Sequence, residues 1–64
     1  MGMDYIRKTY KVPAKRGARV SYMGGDDARE GTIVGSDGSY LCVLLDGEEV
    51  SRRFHPVWEI RYLP

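Results

Sequence analysis

Hydrophobic and polar residues alternate in short runs along residues 16–62, and glycine-rich turns separate these runs. In residues 18–23 the apolar positions recur at every second residue, which is the period of a strand with one buried face. Residues 30–35 contain a β-branched run and predict a second strand. Residues 40–45 and 48–54 predict a third and a fourth strand, so the pattern is typical of a small all-β domain.

Two Asp-Gly pairs predict how these strands are connected. Asp37-Gly38 and Asp46-Gly47 each lie between β-rich runs and tolerate the positive φ of tight turns, so each predicts a hairpin. A tight turn at Asp46-Gly47 places Val43 opposite Val50, and we expect Phe54 on the same inward side. The opposite face then carries an apolar strip, which is either a contact surface or covered by the N-terminal segment: Tyr40, Cys42, Leu44, Glu49, Ser51 and Arg53.

The two ends of the chain differ from this strand pattern. Pro56 cannot continue a fully paired strand, and residues 56–58 are short enough for one tight helical turn. Residues 60–62 alternate again and predict a closing fifth strand. The N-terminal residues fit neither a helical stripe nor a long strand. We therefore divide the chain into an N-terminal basic arm, residues 1–15, and a five-stranded barrel, residues 16–64.

Five short strands with a single turn before the last resemble the SH3-like barrel superfamily. The first half of the barrel is similar to the opening of a KOW-type motif, found in ribosomal proteins and transcription elongation factors: Arg16-Gly17-x-x-Val20, Gly24, Gly25 and Gly31-x-Ile33-Val34. The resemblance implies an SH3-like fold and favours a nucleic-acid partner. The loop after the first strand departs from that motif, because Asp26 and Asp27 stand where nucleic-acid-binding members tend to carry basic residues. Carboxylates there would repel phosphates.

The end of the chain carries a more distinctive pattern. Residues 54–63, Phe-His-Pro-x-Trp-Glu-Ile-x-Tyr-Leu, together with residues 12–17 resemble small proteins of uncharacterised function that bacteriophages and prophages encode. This resemblance covers nearly the whole chain. It implies a phage or prophage source and a fold, and it implies no mechanism.

Length and cysteine content narrow the class of protein. The 64 residues allow one domain with a thin core, and the single cysteine, Cys42, cannot form an intramolecular disulfide. No apolar run approaches the roughly 20 residues that cross a membrane, and the N-terminus lacks the apolar segment of a signal peptide. We therefore expect a soluble protein of the bacterial host cytoplasm with no membrane partner. We expect no cofactor and no metal, because only His55 accompanies Cys42 as a soft ligand.

The net charge of +1 conceals a strong division along the chain. Residues 1–19 carry six basic side chains against one carboxylate, a net charge of +5. Residues 20–50 sum to −6, and residues 51–64 sum to +2. Because charges act locally and are screened beyond about 8 Å at physiological salt, an anionic partner would meet the N-terminal arm first.

Basic and aromatic side chains together form a candidate nucleic-acid site. The predicted phosphate contacts are Lys8, Lys11, Lys15, Arg16 and Arg19. The alternative for this set is a solvated tail that balances the acidic turns. Tyr40, Arg53 and Trp58 would offer a stacking surface for bases. For Trp58 we favour packing in the core or at its rim, because a Trp buries a large area, and keep stacking as the alternative.

We expect a non-enzymatic binding module, since the chain lacks a nucleophile with an oriented base. Nucleic acid is the first candidate partner. The alternative is a protein-interaction or assembly module, in which the strip of Tyr40, Cys42 and Leu44 seats a protein partner or a second copy. His55 is expected to bond to nearby backbone or to the Trp58 segment. Tyr22 and Tyr62 share the inward periodicity and are expected to be structural.

Overall fold

One helix and five strands form the fold of residues 2–64, which are the residues that the computed structural model describes. These elements are α1 (Met3–Tyr10), β1 (Arg19–Tyr22), β2 (Arg29–Asp37), β3 (Tyr40–Leu45), β4 (Arg52–Phe54) and β5 (Ile60–Tyr62). The strands form a single antiparallel sheet in the order β4-β3-β2-β1-β5. The prediction of an all-β domain with five strands is confirmed at this level. No helix among residues 2–64 is long and apolar enough to span a membrane.

The first predicted hairpin is confirmed and joins β2 to β3. Asp37 pairs with Tyr40 across a tight turn in which Gly38 has a φ of +61°. A positive φ at the first turn position is what glycine supplies without steric cost, and it matches the twist of the flanking strands. Further along β2, the register shifts at Val34, which forms a β-bulge between Ile33 and Gly35. A bulge increases the local bend and twist of a strand.

The sheet is curled so strongly that its first and fourth strands touch across the concave face. β2 and β3 lie between β1 and β4, yet the rings of Tyr22 and Phe54 pack with their centroids 4.7 Å apart. A flat sheet would separate these strands by about three spacings of 4.7–4.9 Å. The curl therefore encloses the apolar side chains that the alternation pattern placed inward.

The predicted register of β3 against β4 is wrong by two residues. Val43 pairs with Arg52 rather than with Val50, and Leu41 pairs with Phe54. The connection is longer than a tight turn, and Val50 in it is 74% exposed instead of buried. A shift of two residues keeps every side chain on its predicted face, because side chains alternate with a period of two. The inward face of β3 is accordingly confirmed.

The N-terminal segment forms a helix, so the expectation that it fits neither helix nor strand is wrong. Ile6 is completely buried, and Met3 and Tyr10 pack partly buried against the same core. The helix ends at Tyr10, because the next residue, Lys11, has a φ of +55°. Arg7 donates a hydrogen bond of 2.7 Å to the carbonyl of Ala14. The core that α1 shares with the sheet consists of Ile6, Ala14, Val20, Ile33, Leu41, Val43, Leu45 and Ile60.

The segment between β4 and β5 is a turn followed by a bend, so the predicted helical turn at residues 56–58 is wrong. The first residue of the turn, Pro56, is buried, and the Tyr62 hydroxyl donates a hydrogen bond of 2.8 Å to the Pro56 carbonyl. Tyr62 also packs against the core, as its periodicity predicted. The bond holds the turn against β5.

Tyr62 gives the fold a predictable response to alkaline pH. Partial burial raises the pKa of its phenol to about 12, because the protein disfavours the charged phenolate. The neutral phenol of Tyr62 is therefore favoured by folding, and its contribution to the free energy of unfolding is complete below the ordinary pKa of about 10. This contribution disappears as the pH rises towards 12, because the phenol then ionises more readily in the unfolded chain. We expect the urea midpoint of Tyr62→Phe to fall less than that of the unaltered protein over this interval. Tyr5→Phe, at an exposed position, should follow the unaltered protein.

Candidate functional site

An aromatic groove with a volume of about 400 Å³ opens where β4, the turn after it and the ends of β1 and β3 meet. The residues that line it are Tyr22, Tyr40, Arg53, Phe54, His55, Trp58 and Glu59. Its volume lies in the range of about 300–1,000 Å³ that is typical of small-molecule sites. The groove therefore has room for one planar ligand group against aromatic walls.

His55 links this groove to the end of α1. Its ring packs edge-on against Tyr10, with centroids 5.2 Å apart, and stands at 6.5 Å from the ring of Tyr40. The Val57 N–H donates a hydrogen bond of 3.2 Å to His55 Nδ1, which fixes the plane of the imidazole. The expectation that His55 bonds to nearby backbone is confirmed. Through this contact, the end of α1 lies against one of the residues that line the groove.

Trp58 is 70% exposed and is not among the residues that pack against the core, so the interpretation that favoured packing in the core or at its rim is wrong. The physical reason is that Ile33, Leu41 and the other aliphatic residues fill the interior, and the turn after Pro56 carries the indole outward. Tyr40 is 46% exposed, as predicted for an accessible residue. An exposed indole is a flat apolar surface, and stacking another ring on it is favourable in free energy.

Glu59 brings the single carboxylate among the lining residues of the aromatic groove. Its φ is +59°, a left-handed conformation in which a Glu is uncommon and strained. Its backbone carbonyl accepts a hydrogen bond of 2.8 Å from the Met23 N–H, which holds the bend against the end of β1. A Cβ on Gly24 would collide with the Glu59 carboxylate and with the ring and hydroxyl of Tyr22. Gly24 therefore leaves the space that these two groups occupy.

Arg53 is exposed on β4, where its backbone pairs with that of Cys42. Its guanidinium makes one long ion pair, 3.4 Å from Nη1 to the Asp37 carboxylate. Most of its donors thus remain available to a ligand in the groove, since a guanidinium carries five N–H groups. The structure brings together Tyr40, Arg53 and Trp58, the three residues predicted as a stacking surface.

Arg19 does not resemble the other predicted phosphate contacts. Its guanidinium lies 2.5 and 2.9 Å from the two carboxylate oxygens of Asp46, 2.8 Å from Thr32 Oγ1 and 3.4 Å from Glu30. The Asp46 hydrogen bond is the main reason why the pKa of Arg19 is raised and that of Asp46 is lowered. Two carboxylates therefore offset its charge, and a phosphate would have to compete with them.

The other predicted phosphate contacts make no ion pair among residues 2–64: Lys8, Lys11, Lys15 and Arg16. Lys8 lies on the last turn of α1, and Lys11 follows Tyr10, whose ring contacts His55 of the aromatic groove. Lys15 lines a second groove of about 360 Å³ with Arg19 and Tyr62, and Arg16 approaches Gly35 on β2. Lys11 thus follows a residue that contacts the aromatic groove, whereas Lys8 lies on the side of α1 that faces away from Tyr10, and Lys15 and Arg16 lie elsewhere.

Four groove residues were not predicted as site residues: Tyr22, Phe54, His55 and Glu59. Tyr22 and Phe54 are half-buried and pack on the core, as their inward periodicity predicted. That periodicity gave no indication that both residues also line the groove. The signal that could have located the groove is the density of aromatic residues around Pro56, since Phe54, His55 and Trp58 fall within five positions. The predicted outer strip is less open than expected, because Cys42 and Leu44 are half-buried.

No protein-family model, curated protein or solved structure matches the chain. The described residues also contain no group of three or more His, Cys, Asp or Glu side chains that could hold a metal ion.

Proposed function

We propose that this protein is a non-enzymatic module that binds single-stranded nucleic acid, with one base stacked in the aromatic groove. The observation that carries the proposal is the position of Trp58, Tyr40 and Arg53 on one groove, with the indole 70% exposed. Every base has a π face, so such a groove takes bases from flexible strands, in which they are unpaired. Stacked bases in a duplex would not reach it.

Charge around the groove supports the proposal. Lys11 follows Tyr10 at the end of α1, where it can meet a phosphate beside a base held in the groove. Lys8, on the side of α1 that faces away from Tyr10, adds to the positive charge of the helix. Lys15 and Arg16 extend the basic surface further along the chain. Arg19 is left out of the interface because Asp46 and Glu30 already hold it. The acidic loop at Asp26 and Asp27 limits the path of the strand, since phosphates avoid it.

The fold and the source belong to the same proposal. The curl that brings Tyr22 against Phe54 supports the inference of an SH3-like barrel, and the antiparallel order of the strands is consistent with that family. The KOW-like spacing adds support for a nucleic-acid partner, and the pattern of residues 54–63 supports a phage or prophage source. The protein would then act in the cytoplasm of a bacterial host.

Replacing Trp58 by alanine is expected to weaken binding of a single-stranded oligonucleotide by roughly 1–3 kcal/mol, because the stacking surface is removed. Trp58 is the only tryptophan, so quenching of its fluorescence measures stacking directly in the unaltered protein. Fluorescence anisotropy of a labelled oligonucleotide compares the two proteins. Val57→Ala is the matched control, since Val57 is also exposed and adjacent but does not line the groove.

The same titration at several salt concentrations tests the phosphate contacts. If Lys8, Lys11, Lys15 and Arg16 each neutralise one phosphate, the slope of log K against log salt is about −3 for a single strand. A Trp58→Ala variant that binds as tightly as the Val57→Ala control would contradict the stacking. An unaltered protein that binds no oligonucleotide at low salt would remove the proposal altogether.

A further inference from the structure

The Glu59 carboxylate places a negative charge in a groove that we propose binds an anionic polymer. It belongs to the lining of the groove, and none of the ion pairs among residues 2–64 uses it. A negative charge repels the phosphates that the lysines attract. A ligand that offers hydrogen-bond donors would offset this repulsion, because an ionised carboxylate is purely an acceptor.

The backbone at Glu59 is held in a conformation that most residues avoid. A φ of +59° suits Gly, or Asn and Asp with their short side chains, so a Glu at this position costs conformational strain. The Met23 N–H bond to its carbonyl holds the backbone there, and Gly24 leaves space for the carboxylate beside Tyr22. Strain that the surroundings maintain is typical of residues whose side chains act on a ligand.

Arg53 brings a positively charged hydrogen-bond donor to the same groove. Its long ion pair of 3.4 Å to Asp37 leaves most of its N–H groups unused. A ligand that fits both residues therefore has an acceptor for the guanidinium, donors for the carboxylate and a flat face for Trp58 and Tyr40. Guanine has all of these, because its N1–H and N2–H₂ donors are adjacent and its O6 and N7 accept from arginine. Adenine, cytosine and uracil lack two adjacent ring-edge donors.

We propose that the aromatic groove prefers guanine, with Glu59 accepting from N1–H and N2–H₂ and Arg53 donating to O6 or N7. The proposal rests on the proposed nucleic-acid binding and names the base that it favours. Trp58 and Tyr40 contribute stacking energy that is similar for all bases, so the preference comes from Glu59 and Arg53.

Three oligonucleotides of about ten nucleotides test the preference, each a run of thymidines with one central position altered. That position carries guanine, hypoxanthine or adenine. Hypoxanthine keeps O6, N7 and N1–H but lacks the 2-amino group, so it removes one donor to Glu59 alone. We expect guanine to bind roughly tenfold more tightly than hypoxanthine, and adenine to bind no better than hypoxanthine.

The Glu59→Gln variant then assigns the preference to its carboxylate. A glutamine has one acceptor and one donor where the carboxylate has two acceptors, so the difference between guanine and hypoxanthine should disappear. Glu49→Gln is the matched control, because Glu49 is exposed and does not line the groove, and it should retain the difference. Circular dichroism of both variants confirms that the fold is intact before binding is compared.

The possible outcomes separate this proposal from the proposed function. Equal affinity for the three oligonucleotides, with quenching of Trp58, overturns the guanine preference and leaves nucleic-acid binding in place. A preference that survives in Glu59→Gln overturns the role of Glu59. No binding of any oligonucleotide, together with quenching by tetramethylammonium, overturns both proposals and assigns the groove to a cationic group.

Discussion

Replacing Gly31 by alanine is expected to lower the free energy of unfolding by about 3 kcal/mol or to prevent folding. Gly31 lies in the middle of the sheet, where it pairs with Val20 on one side and Leu45 on the other. A Cβ at this position would stand 2.7 Å from the Leu44 carbonyl oxygen, 2.9 Å from Val43 Cγ1 and 3.0 Å from Leu45 Cα. Two of these atoms belong to the backbone of β3, so relief requires the central strands to move apart.

Urea unfolding followed by far-ultraviolet circular dichroism measures this effect, and Gly35→Ala is the matched control. Gly35 is on the same strand, but a Cβ there would approach nothing closer than the Arg16 Nη2 atom at 4.0 Å. Neither position has a positive φ, so the two substitutions differ in available space rather than in backbone strain. Equal midpoints for the two variants would contradict the close approach of β2 and β3 at Gly31.

The strands were predictable because each carries its own local signal. Alternation predicted β1 and β5, the β-branched run predicted β2, and the β-rich run between the two Asp-Gly pairs predicted β3. Asp37-Gly38 predicted the hairpin between β2 and β3. The register of β4 was not predictable from Asp46-Gly47, because the connection is longer than the tight turn that this dipeptide favours. The apolar Val50 lies in that connection, where nothing in the local sequence distinguishes it from a strand residue.

The helix was missed because its signal is short. Met3, Ile6 and Tyr10 have the spacing of one helical face, but a segment of eight residues shows only three such positions. An isolated helix of this length is unstable in water, so α1 depends on its contacts with the sheet. Those contacts are tertiary, and the sequence alone gives no measure of them.

Part of the candidate site was visible in the sequence and part was created by the curl of the sheet. Tyr40 and Arg53 were recognisable as outward-facing residues because strand alternation predicts which face each side chain occupies. The position of Glu59 and the contact between Tyr10 and His55 depend on the bend after Pro56 and on the docking of α1. Both are long-range consequences of packing, which no spacing rule expresses.

Replacing Ile6 by alanine is expected to lower the free energy of unfolding by about 2–5 kcal/mol, the usual cost of removing a large aliphatic side chain from a core. Ile6 has no exposed surface and is the single fully buried residue of α1. A domain of 64 residues has a total stability of roughly 3–10 kcal/mol, so this loss is a large fraction of it. Urea unfolding compares the variant with Thr9→Ala, an exposed position of the same helix that should change little.

The variant also tests whether α1 completes the aromatic groove. If the helix undocks, Tyr10 and the adjacent Lys11 move away from His55, so oligonucleotide affinity should fall in Ile6→Ala under conditions where circular dichroism still shows the sheet. The Thr9→Ala variant should keep both its stability and its affinity. A stable Ile6→Ala protein with unchanged affinity would contradict the docking of α1. It would instead favour the alternative that the basic N-terminal segment is a solvated tail.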